Sequence, residues 1–203
     1  MKEQRDYAQD LADIRSMMER SSKFLSLSGL AGVMAGIYAL IGAWIAYSVY
    51  NFTPDTLING VGSTQLTELT VLGVLVLILA IGTAVFLSVR KARKRGESVW
   101  NGTSKRMLAN MFMPLATGGV LILIALTKGV IVLILPMSLI FYGMAIYNAS
   151  NFSYDDVKYL GLIQVGLGLI AALYPEYGLV FWAVGFGLVH VVYGIYMYIR
   201  YER

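Results

Sequence analysis

The sequence predicts an all-α integral membrane protein. Six transmembrane helices form three consecutive helical hairpins, both termini face the cytoplasm, and a cytoplasmic amphipathic helix precedes the first span. Three observations carry this. Of the 203 residues, 58% are hydrophobic and only 14% charged, where a soluble domain carries about 25% charged residues. The apolar residues gather into six runs, at about 24–50, 69–89, 107–127, 129–148, 158–174 and 178–199, each near the roughly 20 residues that a bilayer-spanning helix needs. With the N-terminus inside, all of the 16 Lys and Arg except Lys128 fall in inward segments, which is the asymmetry that orients membrane proteins. An odd number of spans would scramble it.

Residues 1–22 form a first segment and 23–203 a single six-span domain. Tyr7, Leu11, Ile14 and Met18 recur at helical spacing, which predicts an amphipathic helix. Five basic and five acidic residues balance from Lys2 to Lys23. A helix lying on lipid would be cationic, so this one is expected to dock on protein. The segment has no apolar core of the kind a cleaved signal peptide carries, so the first span is expected to stay as an anchor. That span carries Ser28, Gly32 and Gly36, a small-residue stripe with a GxxxG core that suits close helix packing, within one protomer or between two.

The segment between the second and third spans (RKARKRGESVWNGTSKR) holds seven basic residues and one acid. Arg90, Lys91, Arg93, Lys94 and Arg95 are candidates for anionic lipid headgroups, beside their simpler role in fixing topology. Nucleic-acid binding is not expected, because one short loop offers no reading element. The third and fourth spans meet at Thr127, Lys128 and Gly129, a tight turn with Gly129 free to take a left-handed conformation. Pro114 and Pro136 interrupt these two spans and each frees a carbonyl one turn back. Thr117 and Ser138 are candidates to re-satisfy that backbone. Ser153 and Asp156 stand three apart before the fifth span, as in a capping box. Pro175, Glu176, Tyr177 and Gly178 make the turn before the sixth.

The hairpins read alike. The outward helices open with Lys23-Phe24-Leu25, Arg106-Met107-Leu108 and Lys158-Tyr159-Leu160. The returning helices carry Gly82-Thr83-Ala84-Val85-Phe86, Gly143-Met144-Ala145-Ile146-Tyr147 and Gly194-Ile195-Tyr196-Met197-Tyr198. The repeat predicts a compact ring of helices with approximate threefold order. The last hairpin, with its glycine-studded helix, the turn at Pro175 and Glu176 and the late Gly194, resembles the short repeat of the HdeD-like bacterial membrane proteins. That resemblance implies six spans in a bacterial inner membrane, an association with acid or stress resistance, and no catalytic residues. The first hairpin departs from it, having a long outer loop over about 51–68 instead of a Pro turn.

The chemistry available is sparse. There is no cysteine and one histidine, His190, so Cys-ligated metals, His-rich metal sites and thiol nucleophiles are excluded. No Asp, Glu, Lys or Arg falls at membrane depth, where proton pumps and voltage sensors keep theirs. No paired carboxylates or base–nucleophile set can be assembled. A haem on His190 would want a second ligand that the scattered methionines do not offer, so no cofactor and no metal are expected.

His190 lies near mid-membrane, where Ala183, Gly187, His190 and Gly194 follow at four, three and four. Gly161, Gln164, Gly168 and Ala172 nearly repeat the spacing. Gln164 is about six residues deep and His190 about eight, a difference of about 3 Å in depth at 1.5 Å per residue. The two seams are expected to face each other, with Gln164 and His190 in hydrogen-bonding reach. Such a pair is polar glue between helices, worth about 0.6–2 kcal/mol, or a proton-responsive switch, since imidazole titrates near neutral pH. Two functions of different class follow. One is a non-enzymatic inner-membrane protein of stress-response or scaffold type, acting through helix packing and self-association in the bilayer. The other is a small transporter or channel for a neutral or weakly polar solute, its path running past Pro114, Thr117, Pro136, Ser138, Gln164 and His190.

Overall fold

A computed structural model describes residues 28–94, 96 and 98–203. The expected amphipathic helix, the opening Lys23-Phe24-Leu25 and Arg95 lie outside the described residues. Among those described, helices and tight turns account for the fold and no strand is present. Eight α-helices follow in order: α1 Gly29–Ser48, α2 Pro54–Asn59, α3 Ser63–Lys94, α4 Gly102–Thr127, α5 Ile134–Ser150, α6 Val157–Leu173, α7 Gly178–Trp182 and α8 His190–Tyr201. A π-helical segment, Ala183–Val189, joins α7 to α8 as one continuous last helix.

Five helical stretches are long and apolar enough to cross a membrane: Gly29–Ser48, Ser63–Lys94, Gly102–Thr127, Ile131–Ser150 and Pro175–Tyr201. These mark a multi-pass membrane protein. The fifth apolar run of the sequence forms the shorter α6, of 17 residues, about 25 Å at 1.5 Å per residue. α3 has 32 residues, about 48 Å, and so overruns the 30 Å hydrocarbon core at its ends.

The turns form where the residue types ask for them. Gly129 takes φ +71°, a left-handed conformation that closes α4 against the 3₁₀ turn Ile131–Leu133. Pro175–Tyr177 is a second 3₁₀ turn. The stretch expected as a loop over about 51–68 is more ordered than that. Thr53 and Thr56 form a capping box for α2, because the threonine hydroxyls satisfy the amides that open the helix. Leu57 of α2 then buries with Ala46 and Phe52, against Leu69, Leu72, Leu135 and Leu179. α2 is a plug that ties α1, α3, α5 and α7 at the end where α1 closes and α3 opens. The alternation of apolar and turn residues there hid a six-residue helix with one buried anchor.

Neighbouring helices pack in the spatial order α3, α1, last helix, α6, α5, α4. Glycines set the closest approaches. A Cβ on Gly161 of α6 would fall 2.7 Å from the Gly143 oxygen and 2.7 Å from the Tyr147 nitrogen of α5. A Cβ on Gly29 of α1 would fall 2.6 Å from the Gly194 oxygen and 2.5 Å from the Tyr198 nitrogen of α8. The two junctions are built alike, backbone on backbone, which only glycine permits. α3 and α4 are consecutive in the chain, yet they share no packed interface. No glycine junction of the kind described above forms at Gly82 of α3, which meets nothing within 4 Å among the described residues.

Candidate functional site

The last helix presents its small residues to two neighbours rather than one. Gly187 and Gly194 lie against α1, whose Gly36 backs onto the Gly187 oxygen and whose Gly32 backs onto the Gly194 Cα. The stripe Ser28, Gly32 and Gly36 is thus consumed within the chain. On α6, Gly161 and Gly168 face α5. The expectation that the Gly187/Gly194 seam faces the Gly161/Gly168 seam is corrected on this point. The reason is the π turn, whose wider i→i+5 spacing rotates the helix face that follows it. It brings Gly185, which the regular spacing does not include, over Gln164. A Cβ on Gly185 would stand 2.6 Å from Gln164 Oε1.

Gln164 and His190 do come together, with Gln164 Nε2 3.3 Å from His190 Nδ1. Both reach for one carbonyl. Gln164 Nε2 donates to the Gly185 oxygen at 2.7 Å, and His190 Nδ1 lies 2.9 Å from the same oxygen. The Tyr142 hydroxyl of α5 lies 2.9 Å from His190 Nε2. One tautomer satisfies this geometry: neutral imidazole, with Nδ1–H donating to Gly185 and Nε2 accepting from Tyr142. Phe186 stacks on His190 and tilts against Tyr142 and Trp182, at centroid distances of 5.8, 5.0 and 5.2 Å. Gln164 is fully buried and His190 is 5% exposed. The knot so joins α5, α6 and the last helix with one polar side chain from each. Gln164 Oε1 is buried without a hydrogen-bond partner.

The other sequence candidates stand apart from this knot. Thr117 is exposed on α4. Ser138 Oγ donates to its own helix at the Leu135 oxygen, 2.7 Å away, and so does not serve the carbonyl that Pro136 frees. At Pro114 the freed carbonyl belongs to Asn110, and it is met by Asn148 Nδ2 of α5 at 3.4 Å, not by Thr117. Sequence reasoning missed Tyr142 and Asn148. The one usable signal was that a tyrosine well inside an apolar span has to find its hydroxyl a partner.

A second polar set lies at the end where α1 opens and α8 closes. Asp156 was expected to cap α6. Its backbone is already helical and its side chain makes no capping bond. Its carboxylate instead accepts from the Tyr196 and Tyr201 hydroxyls at 3.0 and 2.7 Å, and pairs with Arg200 at 3.2 Å. Three donors from the last helix outcompete one local amide. Glu202 accepts from the Gly29 amide, which opens α1, and pairs with Lys91 of α3 at 3.1 Å. Lys91 also lies 5.6 Å over the Tyr154 ring. Lys91 therefore turns inward, and the expectation that it faces lipid headgroups is corrected.

No group of three His, Asp or Glu able to hold a metal occurs among the described residues. The hydroxyl nearest His190 is that of Tyr142, and it donates to the ring. No family model matches the chain, and comparison with curated proteins and with solved structures finds no match.

Proposed function

We propose that this is a non-enzymatic protein of stress-response or scaffold type acting through helix packing and self-association, in a bacterial inner membrane as the HdeD-like resemblance implies. In this reading α6 is the fifth of six spans and both termini lie in the cytoplasm. The observation that carries it is His190. The one imidazole of the chain has both nitrogens engaged, by Gly185 and Tyr142, in a knot that joins three helices. A general base or a ligand-binding ring needs a free nitrogen facing a substrate, and this ring is spent on packing. The copy-to-copy contact falls to α3, whose most apolar stretch has no buried residue, since the glycines of α1 are taken up within the chain.

One observation favours a second reading. The unpartnered Gln164 Oε1, beside a π turn, suits a mid-membrane polar site of a transporter for a weakly polar solute. Native mass spectrometry of the full chain released from nanodiscs separates the two. The scaffold reading expects a defined oligomer with no added non-lipid mass. A monomer carrying a reproducible non-lipid mass would overturn it and make Gln164 and His190 a binding site.

A further inference from the structure

The chain that leads into α1 enters beside an exposed set of cations. Val76, Ala80, Thr83, Leu87, Arg90 and Lys94 follow at four, three, four, three and four, which places them on one face of α3. The first part of that face packs on α1. A Cβ on Gly42 would fall 2.8 Å from Val76 Cγ2, and the Tyr38 hydroxyl lies 3.2 Å from Thr83 Oγ1. The two helices so run antiparallel. α1 opens level with the last turns of α3, since the Gly29 amide and the Lys91 ammonium bind one oxygen of Glu202. Arg90 and Lys94 therefore carry the α1-facing stripe past the point where α1 begins. Arg93 adjoins them, and all three are exposed. Lys105, in the first turn of α4, is exposed too. It lies 5.6 Å over the ring of Trp100, which is 64% exposed.

The sequence that precedes α1 answers this surface. Glu3, Asp6, Asp10 and Asp13 follow at three, four and three, so the helix that the spacing predicts carries four acids on one face. That face adjoins the apolar stripe of Tyr7, Leu11, Ile14 and Met18, the two centres about 90° apart round the helix. On a bilayer rich in anionic lipid these acids would meet like charge. At the end of α3 they meet three cations, and Trp100 offers the apolar stripe a partner. Residues 20–28 reach about 30 Å when extended, enough to turn the segment back onto the end of α3.

We propose that residues 1–22 dock on their own bundle at this end, the acidic face on Arg90, Arg93 and Lys94 and the apolar stripe beside Trp100. The contact lies within one chain and goes beyond the scaffold reading, because it holds whether or not copies associate.

Gln9→Cys and Ser98→Cys in the full chain, which is otherwise free of cysteine, carry nitroxide labels. Dipolar distance measurement in nanodiscs is expected to give one narrow distance. Asp6→Asn, Asp10→Asn and Asp13→Asn together, which leave the spans untouched, broaden it into a spread. Arg90→Gln, Arg93→Gln and Lys94→Gln together do the same. Exchanging the charges restores the narrow distance: Asp6→Lys, Asp10→Lys and Asp13→Lys in a chain with Arg90→Glu, Arg93→Glu and Lys94→Glu. Flotation and circular dichroism confirm that each variant inserts and folds. A spread of distances in the labelled chain with its charges unaltered overturns the proposal. So does a narrow distance that survives the asparagine variant. A narrow distance lost on dilution with unlabelled chain overturns it as well, because the segment then sits on a second copy.

Discussion

The α5–α6 and α8–α1 junctions differ from the α3–α4 junction by a handful of hydrogen-sized choices. Where glycine meets glycine, backbones approach until an added Cβ would overlap a carbonyl oxygen and an amide nitrogen. Where α4 has Ala109 and Ala116 in the places of Gly161 and Gly168 of α6, no such junction with α3 forms. In lipid, apolar side chains gain little by leaving the bilayer for one another. Close van der Waals fit and polar contacts decide which helices associate. The comparison teaches that a hydrophobic pattern builds the helices, while the distribution of its smallest residues decides which of them touch.

The largest effect is expected at the closed junctions themselves. Gly194→Leu and Gly143→Leu drive a side chain into facing backbone and each should lower stability by about 3 kcal/mol, if the variant folds at all. Gly82→Leu should fall within about 0.5 kcal/mol of the parent. Reversible unfolding in detergent measures all three, and an equal loss at Gly82 would show that the third junction closes in solution.

Next comes the ion pair that ties the far end of α3 to the end of α8. Glu202→Gln leaves the mostly buried Lys91 ammonium without its carboxylate and is expected to cost about 2 kcal/mol. The loss should shrink when Lys91→Met is added, because the uncompensated charge is then gone. A double-mutant cycle reads the coupling.

A smaller effect is expected in the knot. Tyr142→Phe removes the donor to His190 Nε2 and should cost about 1 kcal/mol. A His190→Asn variant that changes the pH dependence of oligomer formation would contradict the packing role, because a spent imidazole has no such dependence to lose.

Smallest of all is the contact at the chain end. Tyr201→Phe removes one of the two tyrosine donors to Asp156 and should cost about 0.5 kcal/mol in reversible unfolding; a loss as large as that of Glu202→Gln would contradict this order.

The helices and their turns were legible because apolar runs of bilayer length and residues such as Gly129 and Pro175 act locally. The juxtaposition of Gln164 and His190 was also legible, since depth along a membrane helix can be counted at 1.5 Å per residue. Which faces meet was not. That depends on the π turn at Ala183–Val189, a one-residue change of helical phase that leaves no trace in an apolar run. Helix α2 was hidden for a different reason: six residues with one apolar anchor, Leu57, carry too little periodicity to stand out from a loop. Asp156 was misread because its competing donors, Tyr196, Arg200 and Tyr201, lie 40 or more residues away in the chain.

The chain has no cysteine, so a single one can be introduced and labelled cleanly. A nitroxide at position 82 in lipid vesicles, with one at the fully buried Ala145 as reference, tests the α3–α4 junction most directly. The account predicts a mobile label at position 82 with high collision rates toward oxygen dissolved in the bilayer. An immobilised label at position 82, as shielded from oxygen as the one at Ala145, would contradict it.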